Sequence, residues 1–347
     1  MRLGGKMTVV VGWDIGGAHL KAARVAGGRV EASVQAATPL WRGLESLEAA
    51  FTELQARLGE ADGHAITMTG ELSDAFSSRR DGVAGLVGIA ARHLAPTSPR
   101  IYAGRRGFVG LADAEACAED IASANWHASA ALVALRLADA LHIDIGSTTA
   151  DLVPIVAGRV AALGFTDAER LAAGELVYSG MVRSFVMAIA SRAPFRGSWT
   201  PLMNEYFASS ADVHRLLGAL PEDTDLMPAA DQREKTIAGS RARLARMIGR
   251  EPEDGAARDW KALAGWFAEA QVREICDAAF LRLSVGDLDP AAPVVTAGIG
   301  EGVAVEVARR LSRPCLGFAS LIGAPPGASH CAPAVAVALL ATTEAEG

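Results

Sequence analysis

The sequence predicts an α/β protein made of two copies of one unit, and three observations point that way. "GWDIGGAHLKAARVAGGRV" (12–30) and "HIDIGSTTADLVPIVAGRV" (142–160) align without a gap at an offset of 130. Asp14 then falls on Asp144, Ile15 on Ile145, Gly16 on Gly146, and Gly28-Arg29-Val30 on Gly158-Arg159-Val160. Each copy reads as a strand, a glycine turn, a second strand, a tight glycine turn and a third strand. Helix-period segments alternate with further strands after each copy, and an internal repeat outranks local pattern in deciding a fold.

The elements follow in order. "LESLEAAFTELQARL" (44–58) has helical apolar spacing, "HAITMTG" (64–70) reads as a strand entering a loop, and 82–94 and 126–141 read as helices. After the second repeat, "DAERLAAGELVYSGMVRSFVMAIAS" (167–191) reads as a short helix. Pro194, Pro201, Pro221, Pro228 and Pro252 then interrupt 192–258, which also carries a basic helical run over 233–251. That stretch reads as an inserted, mainly helical subdomain. A helix over 259–284 restores the α/β pattern, followed by a strand ending in a third glycine turn, "TAGIGEG" (296–302), a helix, a strand at "CLGF" and a last helix from Cys331. The expected organisation is one domain over 8–140, a second over 141–191 and 259–345, and the insert between.

Composition narrows the function. At 347 residues, with 50% hydrophobic and 21% charged side chains, the chain can bury two cores. A formal charge of −7 argues against nucleic acid as a partner, but not against an anionic small molecule held by backbone amides and a metal ion. Cys117, Cys276, Cys315 and Cys331 are scattered without CxxC spacing, so they read as buried thiols in a reducing compartment rather than as zinc ligands. The first apolar run is too short for a signal peptide and no window is long enough to span a membrane, so a cytoplasmic location is expected.

Glycine at a hairpin tip lets backbone N–H groups converge on an anion unobstructed. Gly16 and Gly17 supply this in the first repeat. Gly146 supplies it in the second, with hydroxyls from Ser147, Thr148 and Thr149. Gly298 and Gly300, between a strand and a helix, add a helix N-terminus that favours an anion. Asp14 and Asp144 each end a strand just before such a tip. Two domains facing a cleft would surround it with two carboxylates and two amide-rich hairpins, a set suited to Mg²⁺ bridging to phosphate. One such turn alone would read as an ordinary capped loop; two in register do not.

These three phrases resemble the two phosphate motifs and the late glycine motif of the actin, sugar kinase and Hsp70 superfamily, within it the hydantoinase A/oxoprolinase branch. "TGELSDAF" (69–76), "SANWHASA" (123–130), the second repeat and "ELVYSGMVRS" (175–184) further resemble the tetrahydromethanopterin-linked C1-transfer pathway proteins. The resemblance covers nearly the whole chain, least over 192–258. It implies two duplicated actin-like (ribonuclease H-like) domains. It also implies the reaction of the family's archaeal members, which join a furanmethanamine diphosphate to γ-glutamyltyramine through an ether and release pyrophosphate.

That reaction assigns expected roles. Asp14 and Asp144 would organise Mg²⁺, while the hairpin glycines and hydroxyls would hold phosphate oxygens. Lys21 would neutralise charge, or else be an edge lysine. Ala18 stands where many ATP-using relatives carry a hydroxyl. The phenol needs a proton acceptor, for which Glu71 leads and Asp151 is second; Glu71 and Asp74 have an alternative as caps of a helix starting at Ser73. Arg183 and the run with Arg241, Arg243 and Arg246 are candidates for the glutamyl carboxylate, the run having a plainer reading as a solvated helix face. Trp126 and Tyr178 could stack on a substrate ring or belong to the core. His19 is placed near ligand and His142 in a strand.

Two other activities stay open on sequence: an ATP-dependent amide-ring hydrolase, whose known subunits are longer, and an ATP-gated switch without turnover. The expected partners are a small-molecule diphosphate and a phenolic acceptor, with no nucleic acid and no membrane. A homodimer is left open.

Overall fold

The computed structural model describes residues 8–346. The chain falls into two compact units, one from Met1–Ala140, Val153–Ala161 and Leu316–Gly347, the other from Leu141–Leu152 and Ala162–Cys315. In the first, β1 (Val9–Ile15) pairs antiparallel with β2 (His19–Ala26), which pairs antiparallel with β3 (Arg29–Ala37). Helix α1 (Glu45–Leu58) returns the chain to β4 (Gly63–Met68), parallel to β1. Helix α2 (Arg79–Leu94) leads to β5 (Arg100–Tyr102), parallel to β4, and then to β6 (Phe108–Val109). The sheet order is β3-β2-β1-β4-β5-β6.

Alternation along β1 sends its side chains to two faces. Trp13 packs on Phe51 of α1, ring centroids 5.0 Å apart. Gly12 faces the other way, where a Cβ would overlap the carbonyl oxygen of Ala334 and lie 2.9 Å from the Ala338 Cβ. The C-terminal helix, Ala332–Glu346, can therefore lie directly on β1, and its residues from Ala332 to Leu339 are buried all round. This helix was expected with the second domain; it belongs to the first unit.

Helices α3 (Ala118–Ile121) and α4 (Asn125–Ala134) precede the second sheet. The helix expected over 126–141 stops at Ala134. The chain is needed as strand from Ala140, where β7 (Ala140–Ile145) pairs with the later strand at Val294–Ala297, so tertiary pairing overrides a helix-forming run. Then come β8 (Ala150–Val156), β9 (Arg159–Val160), α5 (Asp167–Ala173) and β10 (Leu176–Val177). A capping box between Thr166 and Glu169 starts α5, and Gly174, at φ +70°, ends it.

The insert is not purely helical. After the short α6 (Val186–Ile189) it opens with a hairpin of β11 (Arg192–Phe195) and β12 (Ser198–Pro201), followed by α7 (Ser210–Leu217) and α8 (Ile237–Met247). Val186, Phe195, Leu244 and Met247 share one core with Trp260, Leu263 and Phe267 of the long α9 (Ala257–Leu283). The stretch 192–258 is thus anchored on the helix that follows it and lies inside the second unit. β13 (Val294–Ala297), α10 (Glu301–Arg310) and β14 (Cys315–Gly317) complete the second sheet, β10-β8-β7-β13-β14 with β9 beside β8. Both sheets share one plan: the first strand of each repeat sits between its hairpin partner and a parallel strand from later in the chain. Among the described residues, no helix is long and apolar enough to cross a membrane.

Candidate functional site

The two repeats close their hairpins with the same bond. Gly16 donates its N–H to the carbonyl of His19 at 3.0 Å, and Gly146 to that of Thr149 at 2.9 Å. The strand beside each then ends in a loop that grips the same place. Gly70 donates to the carbonyl of Ile15 at 2.9 Å, and Gly300 donates to that of Ile145 at 2.9 Å. Registers agree, since Asp14 lies beside Thr67 and Asp144 beside Ala297. "MTGE" (68–71) is therefore the counterpart of "GIGE" (298–301), with Glu71 matching Glu301. This second correspondence, at an offset of 230, was legible in the sequence as a Gly-Glu pair after each strand and was missed.

In the second unit, a third segment holds the tip. Met181 donates to the carbonyl of Gly146 at 3.0 Å, and Val182 and Arg183 donate to that of Ser147 at 3.0 and 2.8 Å. Gly180 allows this approach, because a Cβ there would lie 2.5 Å from the Thr148 nitrogen. Gln271 of α9 donates to the Gly180 carbonyl at 2.9 Å and binds His214 at 2.8 Å. "ELVYSGMVRS", expected within a helix over 167–191, is instead a strand and a clasp around the hairpin, because Gly174 ends α5 and the backbone beyond it pairs with β8 and the hairpin tip. Gly298 is at φ +84°, and a Cβ on it would overlap Asp144 Oδ1 and the Ile145 carbonyl. Asp144, Gly146, Ser147, Thr148 and Thr149 remain half-buried.

The first unit's tip differs. Asp14 and His19 are buried, while Gly16 and Gly17 are half-buried and Gly17 has open space at its Cβ position. Lys21 is the cross-strand neighbour of Asp14, which places both side chains on one face of the sheet. Glu71 is 1% exposed and accepts a hydrogen bond from Ser123 Oγ at 2.8 Å. It caps no helix: α2 starts later, with Ser78 Oγ accepting from the Asp81 N–H at 3.1 Å. The loop of Glu71 folds back on α2, where a Cβ at Gly82 would overlap the Glu71 carbonyl. Glu301, by contrast, begins α10 and bonds Thr296 Oγ1 at 3.0 Å. Asp74 is exposed, away from this buried carboxylate's setting.

Several expected roles move. Asp151 is held by the buried Arg170 at 2.9 Å, and Arg170 also binds the Glu175 carbonyl at 2.8 Å. A carboxylate committed to a guanidinium is a weak proton acceptor, so Asp151 serves the scaffold. Trp126 is 3% exposed and packs edge-on against His127, which removes it as a stacking platform. Arg243 is fully buried, at 2.8 Å from Asp212 and 3.0 Å from Asp231, so it is neither a solvated face nor a ligand for an acceptor. Arg241 and Arg246 lie half-buried on the same helix, Arg246 at 3.7 Å from Asp231. His142 is buried in β7, its pKa pushed down to about 4 by desolvation, in keeping with a structural role.

Arg183 does stand at the tip. It is half-buried, and desolvation lowers its pKa while the nearby Tyr206 and Tyr178 oppose that. Tyr178 is 58% exposed, and Tyr206 and Phe185 pack with ring centroids 4.4 Å apart and exposed faces. Phe185 and Tyr206 carried no sequence signal, because the insert that supplies Tyr206 has no repeat to compare with.

Comparison with known proteins agrees with the shared sheet plan. The hydantoinase/oxoprolinase family model matches residues 62–344. The chain belongs to that family. It is 30% identical over 242 residues, 69% of its length and 71% of the relative's, to the (4-{4-[2-(gamma-L-glutamylamino)ethyl]phenoxymethyl}furan-2-yl)methanamine synthase of Methanocaldococcus jannaschii. The synthase of the same name from Methanococcus vannielii is 37% identical over 100 residues, 27% of this chain and 45% of that one. The nucleotide-free acetone carboxylase structure overlays 96% of this chain and 70% of its own at a TM-score of 0.57 and 11% identity, which speaks to the fold alone. The chain has an α/β fold with two mixed sheets, the fold it shares with that neighbour.

Among the described residues, no group of three or more His, Cys, Asp or Glu could hold a metal unaided. The oxygen donors of Asp144, Ser147 and Thr148 are hard ligands of the type Mg²⁺ takes, and such an ion commonly keeps water and substrate phosphate in its shell.

Proposed function

We propose that this chain is a transferase that joins a furanmethanamine diphosphate to γ-glutamyltyramine, releasing pyrophosphate, in methanofuran or methylofuran biosynthesis. The observation that carries the reading is the second hairpin: a half-buried Asp144 followed by a glycine and three hydroxyl residues, clasped on both sides by backbone bonds. The name of the 30% identical relative supplies the product. The furfuryl carbon–oxygen bond to the diphosphate breaks, with its electron pair leaving on the diphosphate. The phenol oxygen attacks that carbon, and its proton passes to Glu71. The furan ring delocalises the positive charge that develops, so the enzyme's task is to neutralise the leaving group and hold the phenol in line.

In this reading Gly146, Ser147, Thr148, Thr149, Gly298 and Gly300 hold phosphate oxygens in the second unit, with Gly16, Gly17 and Lys21 in that role in the first. Asp144, and Asp14 in its own unit, would hold Mg²⁺, which when bound would offset the charge of the diphosphate. Arg183 and Tyr178, joined by Phe185 and Tyr206, take the aromatic acceptor in place of Trp126. The enzyme is taken as cytoplasmic and as acting on small molecules. Assay of ether and pyrophosphate with Mg²⁺ and both substrates tests the reading. Product from both together, and none from ATP with 5-oxoproline, supports it; phosphate release from ATP with 5-oxoproline or hydantoin would assign the hydrolase activity instead.

A further inference from the structure

Ser123 has a backbone that serine seldom adopts. Its φ is +52°, in the left-handed region that glycine favours, and it lies at the junction of α3 and α4 with 7% exposure. Its hydroxyl is not used to start α4: the helix has no side-chain cap at Ala124, and the Trp126 N–H is taken by Asn125 Oδ1 at 2.7 Å. The hydroxyl goes instead to Glu71 Oε1, at 2.8 Å. The counterpart carboxylate, Glu301, gets its hydroxyl from Thr296, inside the regular strand β13. Only the Glu71 side of the duplication bonds its carboxylate from a left-handed serine.

We infer that Ser123 is a positioning residue for the Glu71 carboxylate, its left-handed backbone being the cost of placing the hydroxyl there. The inference rests on Glu71 as the acceptor of the phenolic proton. A donor fixed on Oε1 restrains rotation of the carboxylate. It also favours the charged form, which is the form that can accept a proton.

Glycine at this position separates strain from function. Ser123→Gly relaxes the backbone and removes the hydroxyl, whereas Ser123→Thr keeps the hydroxyl and worsens the strain. Relief of the backbone and loss of the hydrogen bond to the buried carboxylate oppose each other, so the glycine variant is expected to melt within about 3 °C of wild type. Its kcat should fall about 10- to 100-fold with the KM of both substrates within about twofold, and the acid limb of its kcat–pH profile should move to higher pH. The threonine variant is expected to melt lower yet keep kcat within about threefold of wild type. If the glycine variant does not accumulate, Ser123→Ala serves, with the same expected loss of kcat.

A merely structural serine gives the opposite order, with turnover following melting temperature. Wild-type kcat and an unmoved pH profile in Ser123→Gly overturn the inference. Glu71→Gln is the control: slow Glu71→Gln beside fast Ser123→Gly removes the role of Ser123 alone. Fast turnover in Glu71→Gln removes the assignment of Glu71 itself, and absence of ether from the wild type removes the proposed reaction.

Discussion

Gly298 sits where no side chain fits against Asp144: a Cβ on it would overlap Asp144 Oδ1, and its φ of +84° is one that alanine resists. The strand-end aspartate and the late glycine turn are therefore one construction. Gly298→Ala should cut turnover by about 100-fold or more by displacing the carboxylate, at a stability cost of about 1–3 kcal/mol. Gly302, in the first turn of α10 with open space at its Cβ position, is the matched control. Gly302→Ala should leave kcat unchanged and stabilise by about 0.5–1 kcal/mol. Steady-state kinetics and melting curves on the pair check both.

The aromatic faces of Tyr206 and Phe185 beside Arg183 predict a split between substrates. Tyr206→Ala and Phe185→Ala should each raise KM for γ-glutamyltyramine about 5- to 10-fold, the worth of about 1 kcal/mol of ring contact, while KM for the diphosphate stays put. Equal rises for both substrates would move the platform elsewhere. Trp126→Phe should instead register in the melting temperature, because Trp126 is core.

The buried Arg243 has two carboxylate partners, Asp212 and Asp231, and its loss leaves the buried Asp212 with Arg215 at 3.5 Å and the Ser240 hydroxyl at 2.8 Å. Arg243→Ala should cost about 3–5 kcal/mol in denaturant unfolding. The fraction that stays folded should turn over normally, since the insert's ion pairs support α7 and α8 rather than touch the hairpin.

Two histidines, the half-buried His64 and the buried His142, set an acid limit on stability. Burial pushes both His64 and His142 down to about 4. A histidine whose folded pKa lies below its unfolded value of about 6.5 binds its proton more readily unfolded, so stability is full above about pH 6.5 and falls as pH drops toward 4. His142→Asn should blunt the loss of melting temperature between pH 7 and pH 4.5 relative to wild type. An unchanged pH slope would mean that His142 does not contribute.

The duplication was legible because each hairpin needs an aspartate, a glycine and an apolar partner at fixed spacing, and no gap intervenes to hide it. Strand and helix order followed from period and glycine stops. What stayed hidden were choices made by distant segments. The C-terminal helix joins the first unit because Gly12 opens a face for it, a small signal within an apolar strand. Sequence left Trp126 open between a ligand face and the core, and Arg243 between a ligand and a solvated helix face, because burial is set by packing across elements that sequence spacing does not reveal. The hydrogen bond from Ser123 to Glu71 joins residues 52 apart, and only the backbone strain at Ser123 marks it.

The most direct test of the central claim follows the oxygen and the pyrophosphate together, using γ-glutamyltyramine labelled with ¹⁸O in its phenol. The account predicts an ether that keeps the label, one unlabelled pyrophosphate per ether, and loss of both by about 100-fold or more in Asp144→Asn with its fold intact. Pyrophosphate released at full rate without the acceptor, or Asp144→Asn turning over like wild type, would contradict it.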